Sequence, residues 1–236
     1  MIHKYMVKNR KIALWYRIIA FVVSVVGVIF AVEIFHKGFN PTSLLYYTLQ
    51  SNILVCIWFG VLTIKTMRVY IKNGKSGPCE FYPRASATVL FSIMVTFVIF
   101  WTLLAPIIPK AEMLLNPMSL GVHFITPLLM LADYIMFSTA GKLKKRDIAW
   151  FVAVPLIYFI QAMILGLCGV MYSTAHSPKL YHFPYPFMDY TIIGWWMMLS
   201  IPLIIVLLVA GGYLFLYLDK RRIKKQEMHT IKNEKN

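Results

Sequence analysis

KLKKRDIAWFVAVPLIYFIQAMILGLCGVM, residues 142–171, decides the class of this chain. Lys142, Lys144, Lys145 and Arg146 crowd its start, and from Ile148 to Met171 there is no charged residue. A helix needs about 20 apolar residues, at a rise of about 1.5 Å each, to cross the hydrocarbon layer of a membrane. A basic cluster followed by an uncharged run of that length reads as a spanning helix with its positive flank.

Working outward, the same alternation recurs. Runs at 13–35, 44–71, 85–107, 118–140 and 191–218 join 148–171 to make six predicted spans. The expected fold is all-α, a polytopic membrane protein of six transmembrane helices. Residues 1–218 form one six-helix domain, and 219–236 (DKRRIKKQEMHTIKNEKN) a basic tail, solvated or touching lipid head groups. The first run is too long for a signal-peptide core and lacks an A-x-A cleavage site, so it reads as an anchor that stays.

Composition agrees. Of 236 residues 59% are hydrophobic and only 14% charged, against about 25% charged in an ordinary soluble domain. Mean hydropathy is +0.68. The net charge of +15 brings nucleic acid to mind. Yet the cations sit in short clusters between apolar runs and form no continuous face, so no nucleic-acid partner is expected. Anionic membrane lipids are the natural partner.

Orientation follows from the same clusters. Of the 24 Lys and Arg, 21 fall in the segment through Arg17, between Lys65 and Arg84, between Lys142 and Arg146, and after Asp219. Only Lys37, Lys110 and Lys179 fall on the other side. The positive-inside rule places both termini in the cytoplasm. Cys56, Cys79 and Cys168 show no metal-binding spacing and read as unpaired thiols; no metal or cofactor is expected.

Ionisable and hydrogen-bonding groups within spans are functional candidates because burying them in lipid is costly. Glu33 falls near the outer end of the first span, Asp189 at the outer mouth of the sixth. Thr48, Ser51 and Asn52 stand at i, i+3 and i+4 and share one helix face; Gln50 points elsewhere. By helical rise, Thr48 and His123 both lie roughly 6–8 Å below the outer boundary, and Asp133 roughly 15 Å deeper than His123. Asp133 is thus out of reach of the outer group and reads as a structural partner for Tyr or Ser neighbours. Pro127 cannot donate to the carbonyl of His123, so the turn there is loosened and the freed group needs another donor. Thr48 or Ser51 alone reads as a hydroxyl bonded back to its own helix, and His123 alone as a satisfied packing residue. YHFPYPF at 181–187 is either an interfacial aromatic belt or a cap over the outer pocket.

The segments YYTLQSNILV (46–55), VTFVIFWTLLAPIIP (95–109), HFITPLLMLADYIMF (123–137) and YPFMDY (185–190), in this order, resemble the androgen-induced membrane protein family. That family includes the androgen-dependent TFPI-regulating protein, and the likeness is to a bacterial six-pass branch of a plasma membrane. The resemblance implies an intramembrane threonine hydrolase that cleaves fatty acid esters of hydroxy fatty acids. Thr48 would be the nucleophile and His123 its base.

Such chemistry needs a base to take the hydroxyl proton and donors to hold the oxyanion. Asn52 and Ser51 are the oxyanion candidates by position; Asp189, then Glu33, are the carboxylates that would orient the imidazole. The substrate would be a lipid ester. Two rival classes remain: a small-solute transporter with Asp133 as a relay, and a non-catalytic lipid-binding protein. Neither an internal repeat nor abundant deep charge favours transport.

Overall fold

A computed structural model describes residues 7–32, 41–107, 117–174, 177–185 and 188–234. Helix α1 is Arg10–Ala31, α2 Tyr47–Asn73, α3 Pro83–Ile99 and α5 Ile148–Leu167. Between the last two, α4 occupies residues 117–137 as Pro117–Leu120, a π turn Gly121–Ile125, and Thr126–Phe137. A single helical turn, α6 (Tyr190–Ile193), precedes the long α7 (Met197–Glu234). Among the described residues, five helical segments are long and apolar enough to cross a membrane; Gly121–Phe137 within α4 is a shorter apolar helix.

Local chemistry sets the ends. Asn9 caps α1 by accepting from the amides of Lys11 and Ile12 at 3.1 and 3.2 Å. Pro83 opens α3, where its missing N–H costs nothing. Gly74, at φ +74°, closes α2 in a conformation that favours glycine.

As expected, the fold is mostly helical, with one short antiparallel hairpin, β1 (Tyr172–Thr174) and β2 (Ser177–Tyr181), between α5 and α6. Helix α7 continues past residue 218, where the sixth predicted span ends. It runs through Glu234, because the basic sequence after Asp219 contains no Pro or Gly to break it. Asp219 itself is packed inside the bundle.

The helix faces are arranged for lipid. On α1, Ala13, Arg17, Ala20, Ser24 and Gly27 are buried, whereas Ile12, Trp15, Ile19, Val22 and Val26 are exposed. Small and polar residues face the bundle and large apolar ones face out, as expected where the surroundings are hydrocarbon. At the α1–α4 crossing the backbones nearly touch: a Cβ added to Gly121 would lie 3.4 Å from the Cα of Gly27. The main core is built from α1, α2, α3, α4, α5 and α7, with Ala20, Phe59, Leu62, Leu90, Ile93, Met130 and Phe151 wholly buried.

The basic segments gather at one end. Arg10 donates to the carbonyls of Asn73, Gly74, Ser76 and Pro78, so the α2–α3 loop wraps its guanidinium. A Cβ on Gly77 would overlap that guanidinium. Lys142 pairs with Glu80, and Arg84 with Asp147 at 2.6 Å. Arg222 of α7 donates to the carbonyls of Tyr134, Ile135 and Ser138, covering the C-terminal turn of α4. Four clusters distant in sequence thus meet on one face of the bundle.

Arg17 departs from the sequence reading, which set it in the flank. It lies inside, ion-paired to Asp133 with Nε–Oδ1 at 2.8 Å and Nη2–Oδ2 at 3.2 Å. Nη1 donates to Thr66 Oγ1 and to the carbonyl of Cys79. Asp133 is therefore held by a cation, not by the Tyr or Ser neighbours expected of it. A buried carboxylate is tolerated when a bidentate cation neutralises it.

Candidate functional site

At the end of the bundle opposite the basic clusters, the first turn of α2 meets the π turn of α4. Pro127 explains why that turn takes its shape. The Thr126 amide reaches back five residues to the carbonyl of Gly121, and Pro127 has no N–H at all. The carbonyls of Val122 and His123 thereby lose their helical donors. Both are supplied from other helices. Asn52 Nδ2 donates to Val122 at 3.0 Å, and the indole Nε1 of Trp101 donates to His123 at 3.1 Å.

Trp101 lies in a second π segment, Phe100–Leu104, which continues α3. The same cause operates there, since the Ala105 amide bonds to the carbonyl of Phe100 and residue 106 is proline. The two π segments dock on each other. The ring of Phe100 stacks on the imidazole of His123 with centroids 3.6 Å apart and planes 11° off parallel. Phe97 stacks against Phe124 beside them.

The predicted face of α2 does form a unit. Ser51 Oγ and Asn52 Nδ2 both donate to the carbonyl of Thr48, at 3.0 and 2.7 Å. Ser51 also shares a hydrogen bond of 2.7 Å with Thr96 on α3. Gln50 turns away to the carbonyl of Leu44. Asn52 therefore spends both amide hydrogens, one on the Thr48 turn and one on the His123 turn. That makes it a brace holding the two candidate residues level, and leaves it no donor for an oxyanion. Among the described residues its buried Oδ1 finds no partner.

Thr48 itself lines an apolar cavity of about 1070 Å³. Small-molecule pockets span about 300–1,000 Å³, so this one is large. Its walls come from α3, α4, α5 and α7, and it extends to Asp219 and Arg222 near the basic end. Tyr185 lines it beside Thr48 and is hydrogen-bonded to the Thr48 side chain. Phe183 is buried against Gly166, where any Cβ would overlap its ring. Of the described residues of the aromatic loop, 181–185, Tyr185 lines the cavity and Phe183 packs on α5.

His123 and Asp189 are engaged elsewhere. His123 Nδ1 lies 3.0 Å from the carbonyl of Ser119, so Nδ1 carries the hydrogen and Nε2 the lone pair. Among the described residues no hydrogen bond joins His123 to Thr48, and His123 is not a cavity wall. Asp189 is buried and caps α6, accepting from the amide and hydroxyl of Thr191. Glu33 lies outside the described residues. Trp101, Thr96 and Phe100 are the participants that sequence reasoning left unassigned, and Tyr185 entered it only as part of the aromatic loop. The orphan carbonyl implied by Pro127 was the one signal that called for Trp101.

Compared with protein-family models, with curated proteins and with solved structures, the chain matches none.

Proposed function

We propose that this is a six-pass plasma-membrane protein, both termini cytoplasmic, that takes a lipid ester into its cavity and hydrolyses it with Thr48 as nucleophile. The observation that carries the reading is the placement of Thr48 on the wall of a large apolar cavity otherwise poor in polar groups. The motif resemblance to androgen-induced threonine hydrolases supports it independently.

In this reading the acyl chain lies in the cavity with its ester carbonyl at Thr48. His123 swings from Phe100 towards the Thr48 turn, to which Asn52 already ties its own turn. Nε2 takes the proton as Oγ1 bonds to the carbonyl carbon. Collapse of the tetrahedral intermediate breaks the ester C–O bond, and His123 returns the proton to the departing alcohol. Water then attacks the acyl-threonine by the same route, releasing the fatty acid and restoring Thr48. The Tyr185 hydroxyl, already on the Thr48 side chain, takes the place beside the developing oxyanion for which Asn52 has no hydrogen left.

The stacking of His123 on Phe100 favours a second reading, a lipid-binding protein without turnover. A fluorophosphonate probe separates the two. Labelling of the wild type that Thr48→Ala and His123→Ala each abolish supports the hydrolase. A folded wild type that takes no label yet retains a fatty acyl ligand supports the binder.

A further inference from the structure

The far end of the cavity has its own chemistry, independent of Thr48. Several cavity walls are also exposed on the outer surface: Val98 in α3 and Leu103 just beyond it, Ile135 on α4, and Leu203, Leu207 and Leu214 on α7. A residue that is both wall and surface marks an opening, so the cavity is a groove open sideways along α7. That helix packs thinly, with Leu203, Val206, Leu207, Leu214 and Leu218 all at least half exposed. Gly211 and Gly212 bring it close, near Phe91 and Ile148. From Ser200 to Arg222 the groove-lining stretch of α7 is about 33 Å long by helical rise, close to a bilayer's hydrocarbon thickness of about 30 Å.

At the basic end of this groove stands Arg222. Its Nη2 serves the α4 carbonyls and its Nη1 lies 3.4 Å from Asp219 Oδ1. Asp219 is in turn saturated by the Tyr134 hydroxyl and the Gly141 amide. Among the described residues the Nε–H of Arg222 and its second Nη1–H take no partner. Lys220 and Arg221 flank it on the surface. An apolar slot that ends at a half-used, fixed guanidinium fits an acyl chain whose head group is anionic.

We propose that this groove is a binding site for an anionic phospholipid, with one acyl chain along α7 and the phosphate on Arg222. Its occupant enters from the leaflet facing the basic end, where anionic head groups meet cationic protein.

The test is native mass spectrometry of the full chain in mild detergent, titrated with phosphatidylglycerol and with phosphatidylcholine of the same acyl chains. Wild type retains phosphatidylglycerol about fivefold better, the value of one cation at a lipid surface. Arg222→Gln lowers phosphatidylglycerol to the phosphatidylcholine level. Because Arg222 also covers the end of α4, a second variant is needed that leaves it alone. Leu207→Trp, at an exposed groove position, fills the slot and lowers retention of both lipids. Equal retention of the two lipids by wild type overturns the proposal. So does a Leu207→Trp protein that keeps its phosphatidylglycerol, since surface charge alone then holds the lipid. Neither result depends on whether Thr48 is catalytic.

Discussion

The guanidinium of Arg17 and the carboxylate of Asp133, 116 residues apart in sequence, meet edge to edge at 2.8 and 3.2 Å with each side chain about 2% exposed. The rings of Phe81 and Phe137 lie 5.7 and 5.1 Å from the same guanidinium. Helices α1 and α4 are thereby locked, with Thr66 of α2 and the Cys79 carbonyl completing the cation's shell.

Removing one member of this pair leaves the other charged and buried, which costs about 3–5 kcal/mol. Arg17→Met and Asp133→Leu are each expected to lower the melting temperature in detergent markedly. The double variant is expected to recover much of the loss, since no charge is then stranded. Single and double variants of equal stability would show the pair to be solvated.

Trp101 and Pro127 are coupled through one carbonyl. Trp101→Phe removes the indole donor from the His123 carbonyl and is expected to cost about 1–3 kcal/mol, the penalty for an unpaired buried polar group. Pro127→Ala restores a backbone N–H to that helix. In the Pro127→Ala background, Trp101→Phe is therefore expected to cost much less. Thermal unfolding of the four proteins gives the coupling, and additive effects would mean that Trp101 acts by packing alone.

Asn52 acts through its two hydrogens. Asn52→Asp faces a carboxylate with two carbonyls and is expected to be more destabilising than Asn52→Leu, which strands the carbonyls without adding repulsion. If the brace serves catalysis, Asn52→Leu loses ester turnover while the protein still retains lipid. Turnover equal to wild type in a folded Asn52→Leu protein would show that the brace has no part in the chemistry.

The thiols are expected to differ by burial. Cys79 is wholly buried under the loop that Arg10 holds, and burial pushes its thiol above the usual range, against the pull of Arg17 and Arg10. Its thiolate fraction at neutral pH is therefore below that of a free cysteine, whose value is about 8.5. Cys168 is exposed at the end of α5. Maleimide at pH 7 is expected to modify Cys168 first and Cys79 only on unfolding, with Cys79 labelling accelerating as pH rises past the ordinary thiol value. Mass spectrometry of labelled peptides reads both rates.

Much of the site's framework is legible in the residues alone. Thr48, Ser51 and Asn52 share a face because helical geometry makes i, i+3 and i+4 neighbours, and Ser51 and Asn52 duly converge on the Thr48 carbonyl. Pro127 announces an opened turn because a missing N–H is a covalent fact. The direction of the His123 ring is not legible, since it depends on Phe100 arriving from another helix. Nor is the fate of Asn52: a carboxamide reads as oxyanion donor or as helix glue until the acceptors around it are known.

What the sequence by itself determined is one-dimensional: where apolar runs are long enough to span, which segments are basic, where prolines interrupt hydrogen bonding. These follow from chain-local chemistry, because a segment in lipid must satisfy its own backbone. What only the tertiary structure decided is every relation between helices. Arg17 found Asp133, Trp101 found the carbonyl that Pro127 freed, and the spacing of α7 from α3 left a groove. Those depend on how each helix is rotated and how closely it packs, which side chains on several helices fix together.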